Sequence, residues 1–231
     1  MSKPKPVYLL AGRWGTNPDP VIAQIIQGSG IEKPSIAYIG ASSGDNIDFF
    51  KRMASYFQSA GSGEIALAPT VDLKANIDKT KKILKSADII FVSGGDVEVG
   101  MNILRHRELV DYIKELYLDG KPFFAVSAGS IMLAQEWVRW RNPDDDTTAE
   151  IFPCINVASV ICDTHGEADN WEELIALLQI EKPGTIGYGI VSGNAIEVYP
   201  DGKVAALSGS VNRYIKRNST VAKLPDLLPN K

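Results

Sequence analysis

Four short apolar runs limit what this chain can fold into: VYLLAG (7–12), SIAYIG (35–40), DIIFVSGG (88–95) and KPFFAVSAG (121–129). Each is strand-sized, rich in β-branched or aromatic residues, and ends in small side chains. Between them lie amphipathic stretches of helical length, PDPVIAQIIQGSG (18–30), DNIDFFKRMASYFQSAG (45–61) and LKANIDKTKKILKSA (73–87). Strand and helix in this rhythm predict an α/β fold with an open, mostly parallel sheet and helices on both faces. EIALAP (64–69) adds a weaker strand, Asp45 or Asn46 can cap one helix, and Gly61 follows its end. After residue 140 the pattern changes. RNPDDDTTAE (141–150) reads as an acidic loop, and TIGYGI (185–190), AIEVYP (195–200) and KVAALSG (203–209) read as strands. Asp201-Gly202 is a turn signal for a C-terminal hairpin. With no repeat, low-complexity segment or long linker, residues 1–231 are expected to form a single domain.

Composition narrows the function classes. The chain is 45% hydrophobic and 23% charged, with 24 basic residues against 28 acidic ones. A formal charge of −4 favours neither nucleic acid nor an anionic membrane as partner. Cys154 and Cys162 make no disulfide framework and lack metal-type spacing, so neither a metal nor another cofactor is expected. The apolar run near the N-terminus is too short for a signal peptide, and no stretch has the length of a membrane span. A cytoplasmic location is the expectation.

In such folds ligands bind beyond the carboxyl ends of the strands. Gly12 to Gly15, Gly40 to Gly44, Gly94-Gly95 and Ser127 to Gly129 all fall there. The segment AVSAG (125–129) places Ser127 between an apolar run and an amphipathic one. A nucleophile elbow needs this order of strand, sharp turn and helix, with small neighbours to permit the backbone and a helix N-terminus to stabilise negative charge. The usual pattern is G-x-S-x-G, and Ala125 stands in place of its first glycine. A serine that merely caps the next helix fits the pentapeptide equally well.

A nucleophilic serine needs a base, and there are only two histidines. His106 lies between two arginines on a predicted helix and reads as a solvated surface residue. His165, in VASVICDTHGEADNWEEL, follows an apolar strand and precedes a helix starting near Asn170. That puts it at the same sheet edge as Ser127, where it is either a general base or a turn residue. Trp14 follows the first strand and could line the cleft, while Trp137 and Trp140 read as packing residues.

The segments FVSGGDVEVGMNIL, FFAVSAGSIML and CDTHGEADNWEEL, in that order and spacing, resemble peptidase family S51, which includes dipeptidase E and cyanophycinase. IGASSGDNIDFFKRMASYFQSAG resembles the family's second strand and helix, and the likeness runs over roughly residues 7 to 200. It implies a flavodoxin-like, class I glutamine amidotransferase-like fold and a serine-type peptidase acting on small peptides or isopeptides, as a dipeptidase or exopeptidase. It also implies Ser127 as nucleophile, His165 as base, an oxyanion hole from Gly94, Gly95 and the Ala128 amide, and either a monomer or a homodimer. The related amidotransferases carry Cys where this chain has Ser127.

Three positions depart from the family pattern. Val191 and Ser192 stand where the family often carries an acid that orients the histidine, so Asp163, Glu167 or the Asp144–Asp146 cluster must supply it if one exists. Asp163 is the working third member. Gly94-Gly95-Asp96 is followed by Val97, and GEADNWEEL replaces an arginine-rich run. With Asp96, Glu98, Glu167 and Asp169 near the presumed cleft, a free amino terminus or a basic side chain is favoured over an N-terminal Asp. Two other readings stay open: a weak or inactive relative that binds a small ligand at the elbow, and a nucleotide binder using Gly12 to Gly15. The latter lacks a G-x-G-x-x-G or Walker pattern.

Overall fold

The structure, a computed structural model, describes residues 3–12 and 20–229. The apolar runs form β1 (Val7–Leu10), β2 (Ile36–Ile39), β4 (Ile89–Val92) and β5 (Phe123–Val126), and the weaker one forms β3 (Ile65–Ala68). These five strands pair in parallel, in the order β1-β5-β4-β2-β3. On the far side of β1, β10 (Ala195–Val198) and β11 (Val204–Ala206) add an antiparallel hairpin. Its turn contains Asp201-Gly202, with Gly202 at φ 82° as the turn requires. The fold is therefore α/β with a mostly parallel central sheet.

Why the runs are apolar at consecutive positions is clear from the packing. Ile90, Val92, Phe123 and Ala125 face one core, shared with α3 (Ile77–Ser86), α4 (Val97–His106), α5 (Val110–Leu118) and α6 (Ala128–Leu133). Ile89, Phe91, Phe124 and Val126 face the other, shared with α1 (Pro20–Gln27) and α2 (Ile47–Ser59). Alternation with period 2 sends successive residues to opposite faces, and helices cover both. Phe57 of α2 packs edge-to-face on Phe91 and Phe124, at 4.7 and 5.3 Å between ring centres. Asn46 caps α2, accepting from the Phe49 amide at 2.8 Å.

Three features differ from the sequence expectation. The stretch around His106 is two helices, because Glu108 takes φ 53° and breaks the run between α4 and α5. Residues 141–150 are not all loop: β6 (Glu136–Trp140) and β7 (Ala149–Pro153) form a hairpin ribbon around residues 141–148. The C-terminal third also builds a second sheet, β13-β12-β9-β8, from β8 (Ile161–Thr164), β9 (Ile186–Ile190), β12 (Val211–Lys216) and β13 (Val221–Leu227). The strand that leads into His165, which begins at Ile161, and the strand in TIGYGI belong to this sheet and not to the central one. Helix α7 (Glu172–Ile180) packs with Val138 and Ile161 in a third core cluster. Among the described residues, no helix is long and apolar enough to cross a membrane.

Candidate active site

Strand β5 ends at Val126 and α6 starts at Ala128, leaving Ser127 at the corner with φ 53° and ψ −129°. L-residues avoid this conformation, at a cost of about 1–3 kcal/mol, so it persists only where its surroundings fix it. They do. The Ser127 amide donates to the Leu10 carbonyl at 2.8 Å, and its own carbonyl accepts from the Ser130 amide at 2.8 Å. Fully buried Ser130 locks the other side, its hydroxyl accepting from the Leu10 amide at 3.0 Å and donating to the Leu10 carbonyl at 2.9 Å. Gly129 must be glycine, since a Cβ there would sit 2.6 Å from the Ser93 carbonyl oxygen and overlap that of Val92. Ala125 is fully buried in the sheet core, which tolerates its methyl group.

The Gly94-Gly95 turn lies beside this corner. A Cβ on Gly94 would come within 3.0 Å of the Ser127 Cβ, so only glycine leaves the hydroxyl its space. Gly95 has φ 150°, and a Cβ there would overlap the Ser42 carbonyl. The Ser42 hydroxyl donates to the carbonyls of Ser93 and Gly94 at 2.7 and 3.0 Å. In a trans peptide the N–H points opposite to the C=O. Tying the Gly94 carbonyl to Ser42 therefore turns the Gly95 N–H away from Ser42. Among the described residues, neither the Gly95 nor the Ala128 amide donates to an acceptor, which leaves both free for a ligand oxygen.

His165 follows β8 at φ 65° and is exposed. It lines the same cavity as Ser127, Gly94, Gly95 and Phe49, a cleft of about 380 Å³. Thus residues from the ends of two different sheets meet over one pocket. His165 Nδ1 lies 2.8 Å from the Ser192 hydroxyl, in the loop between β9 and β10. The Ser192 amide in turn donates to Glu167 Oε1 at 3.1 Å. Burial pulls the Glu167 carboxyl upward, but hydrogen bonds from the Ser192 hydroxyl and the nearby amides, together with the His165 charge, hold it below the usual carboxylate range.

Asp163 sits elsewhere. Its carboxylate is buried in β8, accepts from the Thr164 amide at 2.7 Å, and also takes the Leu174 amide in the first turn of α7. Burial, reinforced by Glu173 and Asp169, pushes it up to about 7. The group on His165 Nδ1 is thus Ser192 and not Asp163, because a strand side chain already committed to a helix end cannot also reach the ring. Within the Asp144–Asp146 cluster, Asp145 caps the hairpin turn through the Thr147 amide and hydroxyl.

The acids expected to surround the substrate are also engaged. Asp96 caps α4, accepting from the Val99 amide at 2.8 Å, and Glu98 pairs with Arg139 at 2.9 Å. Among the described residues lining the cleft, His165 is the one with a titratable side chain; Ala11, Phe49 and Val126 supply apolar wall. Trp14 lies outside the described residues. Trp137 and Trp140 pack as anticipated, Trp137 edge-on against Phe152 at 6.0 Å with its indole donating to Glu173 at 2.7 Å, and Trp140 against the third cluster. Ser42, Ser130 and Phe49 escape sequence reasoning; Ser192 is visible there only as a gap in a family pattern.

Known proteins agree with this architecture. A crystal structure of a peptidase from an acI-B1 Actinobacterium matches with a TM-score of 0.74 at 17% identity, covering 99% of this chain and 96% of that one. A candidate peptidase E protein from Listeria monocytogenes EGD-e gives 0.61 at 14% identity, covering 88% and 98%. No curated protein matches the sequence. The family model for peptidase family S51 matches residues 12–206, a span that holds the corner at Ser127, the Gly94-Gly95 turn and His165 together, and this peptidase chain belongs to family S51.

Proposed function

We propose that the protein is a serine-type peptidase that cleaves small peptides or isopeptides through an acyl-enzyme. The observation that carries this reading is Ser127, held at positive φ between β5 and α6, over the cavity that His165 also lines. In the first step the Ser127 hydroxyl attacks the scissile carbonyl while His165 Nε2 takes its proton. The carbonyl oxygen, now anionic, receives the free Gly95 and Ala128 N–H groups, at the start of α6 where the helix dipole also favours negative charge. Collapse of the tetrahedral adduct breaks the C–N bond, and His165 returns its proton to the departing amine. Water repeats the sequence to release the acid and restore Ser127.

The modest size of the cleft supports a short substrate, as in a dipeptidase or exopeptidase. With the Glu167 carboxylate beside His165, we assign a preference against acidic residues at the amino terminus. A second reading, a weak or inactive relative that binds a ligand at the elbow, draws on the hydroxyl that faces His165 where a carboxylate is usual.

A fluorophosphonate probe read by intact mass separates the two. One adduct per chain, absent in Ser127→Ala, supports the peptidase; no adduct between pH 6 and 9, together with no cleavage of a dipeptide panel, favours the binding protein. In that panel, fastest cleavage of Asp-Xaa would overturn the assigned preference.

A further inference from the structure

We infer that Ser192 and Glu167 together act as a two-link positioning relay, fixing the His165 tautomer that leaves Nε2 free to accept a proton. The inference rests on the proposed roles of Ser127 and His165 and adds a function for two residues that touch no substrate. Three observations meet. The Ser192 hydroxyl is 2.8 Å from His165 Nδ1. Glu167 receives the Ser192 amide at 3.1 Å and is held ionised with help from the same hydroxyl. Asp163, as near to His165 in sequence as Glu167 is, is committed to the Thr164 and Leu174 amides.

Proton counting sets the direction. An ionised carboxylate only accepts hydrogen bonds, so the Ser192 hydroxyl, with Glu167 on one side and His165 Nδ1 on the other, serves both neighbours only when its O–H is turned to Glu167. Its oxygen lone pair then faces His165 Nδ1, which must carry the ring N–H and donate it. Nε2 is left as the unprotonated nitrogen. When Ser127 gives up its proton the ring becomes a cation, and the Glu167 charge, one hydroxyl away, favours it. No proton leaves the ring toward Ser192; the relay orients and stabilises without shuttling. Ser192 in this way does through one added link what a carboxylate would do directly.

Nitrogen-15 NMR of the full chain tests this without any substrate. Replacing exposed His106 by Gln leaves His165 as the only imidazole. At a pH where the ring is neutral, the expected spectrum shows Nδ1 protonated and Nε2 bare. Ser192→Ala and, separately, Glu167→Gln should shift the population toward the Nε2–H tautomer, and Ser192→Asp should keep Nδ1–H. Loss of a charge-assisted hydrogen-bond link should also slow phosphonylation of Ser127 in Ser192→Ala by about 10- to 100-fold, with little further loss on adding Glu167→Gln. A wild-type ring protonated on Nε2, or a tautomer unmoved by either variant, overturns the relay. Failure of Ser127 to label at all would instead overturn the nucleophile, while the NMR result still judges the relay.

Discussion

Replacing Asp163 by Asn should flatten the dependence of stability on pH. In the folded chain its carboxyl titrates at about 7, against an ordinary 3.8, with burial as the main cause. Because the folded value is the higher one, the folded state holds this proton more tightly than the unfolded state. Stability from this group is full below the unfolded value and is lost as pH rises through 7. Between pH 5 and pH 8 the change spans roughly two pH units, at ~1.4 kcal/mol each, or about 3 kcal/mol at most. Asn is neutral throughout and its side-chain oxygen can still accept an amide. For a chain of this length ~3 kcal/mol corresponds to roughly 6–12 °C in Tm. Calorimetry at pH 5 and pH 8 should show the wild type losing several degrees more than Asp163→Asn between the two values. Parallel losses in both proteins would refute the reasoning. So would a variant destabilised equally at both values, which would mean that the Leu174 and Thr164 amides need the carboxyl itself.

Other outcomes follow from the same geometry. Ser130→Ala should cost about 1–3 kcal/mol in urea unfolding, because the Leu10 amide and carbonyl lose the buried hydroxyl that bridges them. Gly129→Ala should lose a similar amount, about 1–3 kcal/mol, despite the better helix propensity of Ala, since the new methyl meets backbone carbonyls of β4 and its following turn; a neutral result would contradict the close approach. Burial pushes the Cys154 thiol up to about 12 and raises that of Cys162 well above its usual value, so iodoacetamide should modify neither in native protein and both after denaturation.

The parallel part of the central sheet was legible because β1, β2, β4 and β5 pack on both faces and are therefore apolar along their length. Ser127 stood out because strand, sharp turn and helix follow one another there in the order an elbow needs, and His165 stood out because histidine is scarce. The ribbon β6–β7 was hidden by its composition: EWVRW mixes charge with aromatic surface, and only Val138 is fully buried. Strand β13 contains Pro225, which a central strand would exclude, yet it is an edge strand, where a missing N–H is tolerated. Ser192 reaches His165 across 27 residues, through the placing of a loop that local pattern does not encode. The partners of the acids were hidden for a related reason. Sequence shows that Asp96 and Glu98 are charged but not that a helix end and Arg139 already occupy them.

Ser127 rides on the seven-stranded sheet, whereas His165 stands on the four-stranded one, with α6 wedged between them. Among the described residues, no continuous ladder of hydrogen bonds spans the gap. A small slip of one layer past the other would change how Ser127 and His165 face each other across their shared cavity while leaving every strand paired. On the proposed mechanism activity depends on that alignment, so heating should silence the protein several degrees before its circular dichroism changes.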